Sequence, residues 1–169
     1  FDAVADQTVS VTTTDDDVAG FTIAETSGST GVDESGSTDI FTIVLDTQPS
    51  SDVVLSITSS DTGEATVESL IQFTSANWDT AQNVTVTGAD DGIIDGTQTS
   101  TITVTVVDAI TDDDFDAVAD QTVSVTTTDD DVAGFTIAET SGSTGVDESG
   151  STDFFTVVLN AQPTTDVVL

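Results

Sequence analysis

The sequence predicts an all-β fold, a seven-stranded antiparallel β-sandwich set in a tandem array. Three observations carry this expectation. Val, Ile, Leu and Phe alternate with Thr and Ser at period two, and no segment keeps a 3.6-residue period. Seven such runs are separated by short Gly-, Ser- and Asp-rich stretches, the spacing of a two-sheet sandwich. Residues 1–55 recur at 115–169 with a period of 114 residues. Only six positions differ between the copies: Ile40/Phe154, Ile43/Val157, Asp46/Asn160, Thr47/Ala161, Ser50/Thr164 and Ser51/Thr165. Near-identity over a domain-sized period is the signature of beads on a string.

The repeat sets the boundaries. The triplet Asp15-Asp16-Asp17 and its copy Asp129-Asp130-Asp131 read as acidic joints between units. One complete unit is then 18–131. Residues 1–17 read as the last strand of a preceding unit, over 7–14, plus its joint. Residues 132–169 read as the first two strands and the start of a third of a following unit. Neither flank carries enough strands to bury a core, so each is expected to lean on the intact unit or on a neighbouring molecule. The chain is read as a piece of such an array, without a leader of its own.

Within the unit the first predicted strand is 20–25, closed by Glu25. The second, 39–46, alternates Phe41, Ile43 and Leu45 with Thr42 and Val44. The stretch between them, 26–39, is rich in Gly and Ser and reads as a mobile loop. The third strand is 52–59 and the fourth 68–74. Trp78, the one tryptophan, falls in the next turn and is expected to cover one end of the core. The fifth strand, 82–87, presents Val84 and Val86; the sixth, 100–107, presents Ile102, Val104 and Val106. The seventh, 121–128, presents Val123 and Val125, with Thr on its other face.

Charge is the second theme. The 169 residues hold 32 Asp and Glu and no Lys, Arg or His, a formal net charge of −32. No carboxylate can be neutralised by a side chain of its own chain. The acids must be solvated or gathered around bound cations. Many are gathered, at 15–17, 90–91, 112–114 and 129–131. Clustered oxygen donors suit Ca2+, which takes six to eight oxygens. A solvated acidic surface of halophilic type is the plain alternative, but such surfaces scatter their acids and keep some basic residues.

Alternating strand directions sort the acids to two poles. One pole collects Glu25, Asp33, Glu34, Asp61, Asp90, Asp91, Asp95 and Asp129–Asp131. The other collects Asp112, Asp113, Asp114, Asp116 and Asp120 beside the preceding joint Asp15–Asp17. In the loop 90–96, the side chains of Asp90, Asp91 and Asp95 and the carbonyl of Ile93 are spaced to wrap one ion. Asp129 at the end of the last strand is a further candidate, Asp112–Asp114 a weaker one. Glu64 and Glu68 flank a strand and read as solvated. Ions shared between the poles of neighbouring units are expected to stiffen each joint.

The segment Gly88-Ala89-Asp90-Asp91-Gly92-Ile93-Ile94-Asp95 resembles the acidic loop of Calx-beta domains, which are immunoglobulin-like sandwiches. That resemblance implies a calcium site completed by a glutamate late in the first strand, here Glu25, and an aspartate triplet closing the last, here Asp129–Asp131. Thr97 and Gln98 stand where those domains often carry further acids. The wider pattern of near-identical Thr/Val/Asp-rich units is similar to the extender repeats of giant bacterial RTX adhesins. It implies an extracellular spacer at a bacterial cell surface, active in adhesion and biofilm formation. The glycine-rich nonapeptides of RTX calcium rolls do not occur in the sequence.

Several classes are set aside. A chain with no cationic side chain has nothing to meet nucleic-acid phosphates or an anionic lipid surface. No apolar run is long enough for a membrane helix. Without Cys, His or Lys there is no thiolate site, nucleophilic triad or lysine base, and no enzymatic activity or substrate is expected. The function read from the sequence is therefore a calcium-stiffened structural spacer whose partners are the neighbouring repeats of its own chain. A carbohydrate- or protein-binding adhesion module is the alternative. A calcium sensor with moving joints is a third reading.

Overall fold

The structure is a computed structural model and describes residues 4–169. Eleven strands form three sheets among these residues. In chain order they are β1 (Phe21–Glu25), β2 (Thr30–Asp33), β3 (Thr38–Leu45), β4 (Val53–Ser59), β5 (Ala65–Val67), β6 (Leu70–Phe73), β7 (Gln82–Gly88), β8 (Gln98–Val106), β9 (Gln121–Thr128), β10 (Phe135–Glu139) and β11 (Phe155–Leu159). Nine of them build the sandwich. One sheet has the order β1-β3-β7-β5, the other β2-β9-β8-β4-β6. Each of the seven predicted strands is present, with ends shifted by at most two residues.

Two strands escape the period-two reading, and the count of seven is corrected to nine. Thr30–Asp33 lies inside the stretch read as a mobile loop. It pairs parallel with β9, Thr30 opposite Val125 and Asp33 opposite Thr128, so the sandwich is not purely antiparallel. Four residues give alternation too little length to stand out. Ala65–Val67 pairs with the end of β7 and is shorter still.

The period-two stripes face each other across one core. Phe41, Ile43, Leu45, Val84 and Val86 come from the first sheet. Leu55, Ile57, Phe73, Ile102, Val104, Val123 and Val125 come from the second. Phe115, in the 3-10 turn Asp113–Phe115, plugs one end. Trp78 packs half-buried against the core, and its carbonyl accepts from the Leu45 N–H at 3.1 Å, as its turn position implied.

The flanks show what the missing strands supply. Gln7–Thr14 has the same sequence as β9 but forms no strand, and its Val9 and Val11 stand in solvent. The expected last strand of a preceding unit is therefore not formed over residues 4–17; Phe1–Ala3 lie outside the described residues. The cause is pairing: β9 sits between β8 and β2, whereas Gln7–Thr14 meets neither. Likewise β10 and β11 reproduce the β1–β3 hairpin register residue for residue. Phe155 is nonetheless 54% exposed where its twin Phe41 is 0%. The copy of β2, 144–147, and the expected third strand after 165 carry no strand.

Gly88 closes β7 where the two sheets meet. A Cβ there would lie 1.9 Å from the Asp33 carbonyl oxygen, against backbone rather than a movable side chain. Its N–H donates to the Ser37 carbonyl at 3.0 Å, which fixes the turn after β2. Gly88→Ala is expected to push β2 away and to destabilise the unit by about 1–3 kcal/mol, the usual range for overpacking. Urea unfolding checks this; an unchanged midpoint would mean that the approach of β7 to β2 is not obligatory.

Candidate metal centre

The parallel pairing of β2 with β9 puts alternate residues of β2 on the core side. Thr30 and Val32 are buried, and the alternation carries on to Glu34, which is 1% exposed. The Glu34 N–H donates to the Thr128 carbonyl at 3.1 Å, so the glutamate sits beside the start of the Asp129–Asp131 joint. Glu64 arrives from the other sheet, just before β5. The Ala89 N–H donates to its carbonyl at 2.9 Å, fastening it to the end of β7. Its side chain is 8% exposed.

Two sets of carboxylate oxygens converge here. Oxygens of Glu34, Glu64 and Asp95 lie within 4.8 Å of one another, and so do those of Glu34, Asp129 and Asp131. Glu34 belongs to both. Glu34 Oε2, Glu64 Oε2 and Asp131 Oδ2 are buried and have no hydrogen-bond partner. A buried anionic oxygen without a donor is costly, and this chain contains no cationic side chain that could approach it. A proton or a bound cation is what remains. The oxygen-only donor set, from five carboxylates, fits a hard divalent ion.

Titration behaviour follows from the same geometry. Burial, then the charges of Asp129 and Glu64 followed by Asp91 and Asp95, pushes the Glu34 carboxyl up to about 7 from an ordinary 4.5. Burial, then Asp95, raises Glu64. Burial, then Asp129 and Asp130, raises Asp131. Asp129 goes the other way, lowered chiefly by the Gly96 N–H and then by that of Asp131, which donate to it at 2.8 Å each. Asp129 thus holds the loop 90–96 against the joint while ionised.

The predicted ligands divide sharply. Asp95, Asp129 and Asp131 are in the cluster. Asp90 and Asp91 stand close enough for their charges to act on Asp131, and Asp91 also acts on Glu34. Asp91 shapes the loop by accepting the N–H groups of Gly92 and Ile93 at 2.7 Å each. Asp130 is exposed and outside both sets. Glu25 lies apart, accepting from the Thr30 hydroxyl at 3.0 Å. Ile93 is turned to another use, a single parallel bridge to Gln162.

At the opposite pole, Asp112 is corrected from ligand to structural cap. It is 4% exposed. Its Oδ2 accepts from the Ser50 hydroxyl at 2.8 Å and the Ser51 N–H at 2.7 Å, and its Oδ1 from the Asp114 N–H at 3.1 Å. The Ser51 backbone N–H and then the Ser50 hydroxyl hold its carboxyl down to about 2. Both oxygens are spent on the turn that seats Phe115. Asp113 and Asp114 are exposed and join no ligand set. Asp15, Asp16 and Asp17 converge within 4.8 Å, but all three are exposed.

Glu34 and Glu64 are the members of the cluster that the sequence does not single out as candidate ligands. For Glu34 a signal existed: Thr30, Val32 and Glu34 continue one face at period two. Glu64, read as solvated, is buried because β5 follows it, and nothing local announces a three-residue strand.

No known family profile matches the chain, and no curated protein sequence does. Among solved structures, the Escherichia coli chaperone DraB superposes with a TM-score of 0.49 at 9% identity, over 70% of this chain and 60% of that one. SSP-19, an MSP-domain-like protein of Caenorhabditis elegans, gives 0.39 at 18% identity, over 60% of this chain and 92% of that one.

Two outcomes follow for the metal-free protein. A raised Glu34 stabilises the fold while protonated; that contribution is full below 4.5 and lost as pH rises through about 7. Asp112 acts oppositely, stabilising above 3.8 and failing as pH falls toward about 2. In EDTA the melting temperature is therefore expected to climb as pH drops from about 8 to about 5.5, then to fall in stronger acid. A flat profile across neutral pH would contradict the burial of Glu34. Glu34→Gln should raise the melting temperature in EDTA while weakening calcium binding on the order of tenfold or more. Calorimetry reads both, and a loss of stability in EDTA would show that the ionised carboxylate is no burden.

Proposed function

We propose that this chain is a structural spacer, an extender segment of a bacterial cell-surface adhesin, in which Ca2+ locks the exit of each repeat. The observation that carries the reading is the pair of buried glutamates, Glu34 and Glu64, with unpartnered oxygens and no cationic side chain to offset them. Calcium at this centre would draw together the end of β2, the residue before β5, the loop after β7 and the joint after β9. Glu34, common to both oxygen sets, has the placement of a carboxylate that bridges two ions.

This refines how a joint is stiffened. The acids that converge are those of one unit and its own joint, and none belongs to 132–169. The ion therefore fixes the direction in which the chain leaves the unit. Asp131 and Asp129 would be held by metal; the next residue begins the following repeat. A spacer needs length and a defined exit rather than distinct pockets, and near-identical repeats supply that. Seven- or eight-residue strands at about 3.3 Å per residue, with their loops, make each unit roughly 40 Å long. The half-buried packing of Trp78 weighs against its use as a binding platform in a carbohydrate- or protein-recognition module.

The test is thermal unfolding in millimolar calcium, in magnesium at matched ionic strength, and in EDTA. The expected result is a large rise with calcium, a smaller one with magnesium, and loss of the calcium increment in Glu64→Gln. Equal stabilisation by any salt would reduce the acids to a screened surface and end this reading. Titration calorimetry adds the scale: an extracellular stiffener should bind at about 10⁻⁴–10⁻³ M, a sensor at micromolar levels.

A further inference from the structure

The loop that carries Asp90, Asp91 and Asp95 has a second face. On it, Ile93 forms a parallel bridge with Gln162, and the Gln162 N–H donates to the Gly92 carbonyl at 2.5 Å. Ile94 reaches into a groove of about 210 Å3 whose rim includes Ala133, Ala161, Gln162 and Pro163. It remains 44% exposed, so over half of the side chain is covered. These receiving residues belong to the copy of the β1–β3 hairpin, across the joint from the loop.

The receiving edge is written into each copy of the hairpin. Ala133, Gln162 and Pro163 repeat Ala19, Gln48 and Pro49, and Ala161 replaces Thr47. In the complete unit the same edge borders an open cavity of about 370 Å3, lined by Val18, Ala19, Thr47, Gln48 and Pro49 together with Phe115 and the acids Asp15, Asp17 and Asp114. The loop of a preceding repeat would fall there. Phe135 and Leu159, which also line the groove, match the core residues Phe21 and Leu45 and would be covered as a following unit closed, as would Pro163, whose twin Pro49 is buried. Ala133, Ala161 and Gln162 would stay at the surface, since Ala19, Thr47 and Gln48 are not buried.

We infer that Gly92–Ile94 is a docking element by which each unit receives the next copy of the repeat, seated on the edge formed by Ala133, Ala161 and Gln162. Backbone pairing and an apolar side chain make this contact, with no acid drawn from the second unit. It suits a chain in which any closer meeting of the two units would bring like charges together. The contact stands apart from metal binding, although the same loop supplies Asp95 to the cluster. Calcium that orders the loop from one side would present Gly92–Ile94 in register on the other.

The wild-type chain contains its own control. Gln48 and Gln162 hold equivalent positions before Pro, and with rates corrected for their different flanking residues, Thr47 against Ala161 above all, the comparison isolates the one difference in bonding: only Gln162 donates its N–H across the joint. By amide hydrogen exchange at neutral pH, Gln162 is expected to exchange at least about tenfold more slowly than Gln48. Equal rates would overturn the proposal. A second measurement uses the absence of native cysteine. Ile93→Cys with Gln162→Cys should close an intramolecular disulfide on mild oxidation on the order of tenfold faster than Ile93→Cys with Thr152→Cys, at the far end of the same hairpin. Closure no faster than this control, in calcium and in EDTA alike, would also overturn it. Calcium-independent stability with a protected Gln162 amide would remove the metal reading and leave the docking intact.

Discussion

Every part of this structure answers to one electrostatic constraint. The chain has 32 carboxylates and no cationic side chain, yet it buries three of them, Asp112 at one pole and Glu34 and Glu64 where its two sheets meet. In an ordinary protein a buried carboxylate is paired with Arg or Lys, and breaking such a pair is strongly destabilising. Here the pairing partner is not encoded in the chain. What offsets the two glutamates has to be taken from solution, and a proton is one candidate and a cation the other. Any cation held there would couple stability, charge and binding in a single equilibrium.

The two poles resolve the constraint in opposite ways. At one, Asp112 is buried but surrounded by donors: Ser50, Ser51 and the backbone of Asp114. Its charge is stabilised by hydrogen bonds, and it caps the turn that seats Phe115. At the other, Glu34, Glu64 and Asp131 keep oxygens with no donor, and each is raised rather than lowered. The contrast matters more than the number of acids in either place. Acid triplets look alike in sequence, but only one pole combines converging carboxylates with buried oxygens that have no donor.

The repeated segments separate local preference from tertiary support. Phe135–Glu139 and Phe155–Leu159 keep the hairpin of their twins, because that pairing is internal to the segment. The copies of β2 and β9 form no strand, because each needs the other or β8 beside it. A segment of identical sequence is thus strand or coil according to its neighbours. This is the expected behaviour of β structure, in which cross-strand partners rather than intrinsic propensity supply the stabilisation.

The sequence by itself determined the class and the frame: an all-β pattern in which seven of the nine sandwich strands stand out at period two, a 55-residue segment that recurs after 114 residues, acids gathered in clusters, and no cationic side chain. Those features are local or compositional, so they survive without coordinates. Asp95, Asp129 and Asp131 were legible as candidate ligands because they lie in acidic clusters in the turn and the joint that close neighbouring strands. The tertiary structure decided what depends on pairing. It made Thr30–Asp33 a parallel strand, which carried Glu34 inward; it placed Glu64 behind a three-residue strand; and it gave Asp112 its donors. Each of these turns on a partner distant in sequence, such as the 95 residues that separate each residue of β2 from its β9 partner, and no alternation of side chains along one segment encodes which segment will lie beside it.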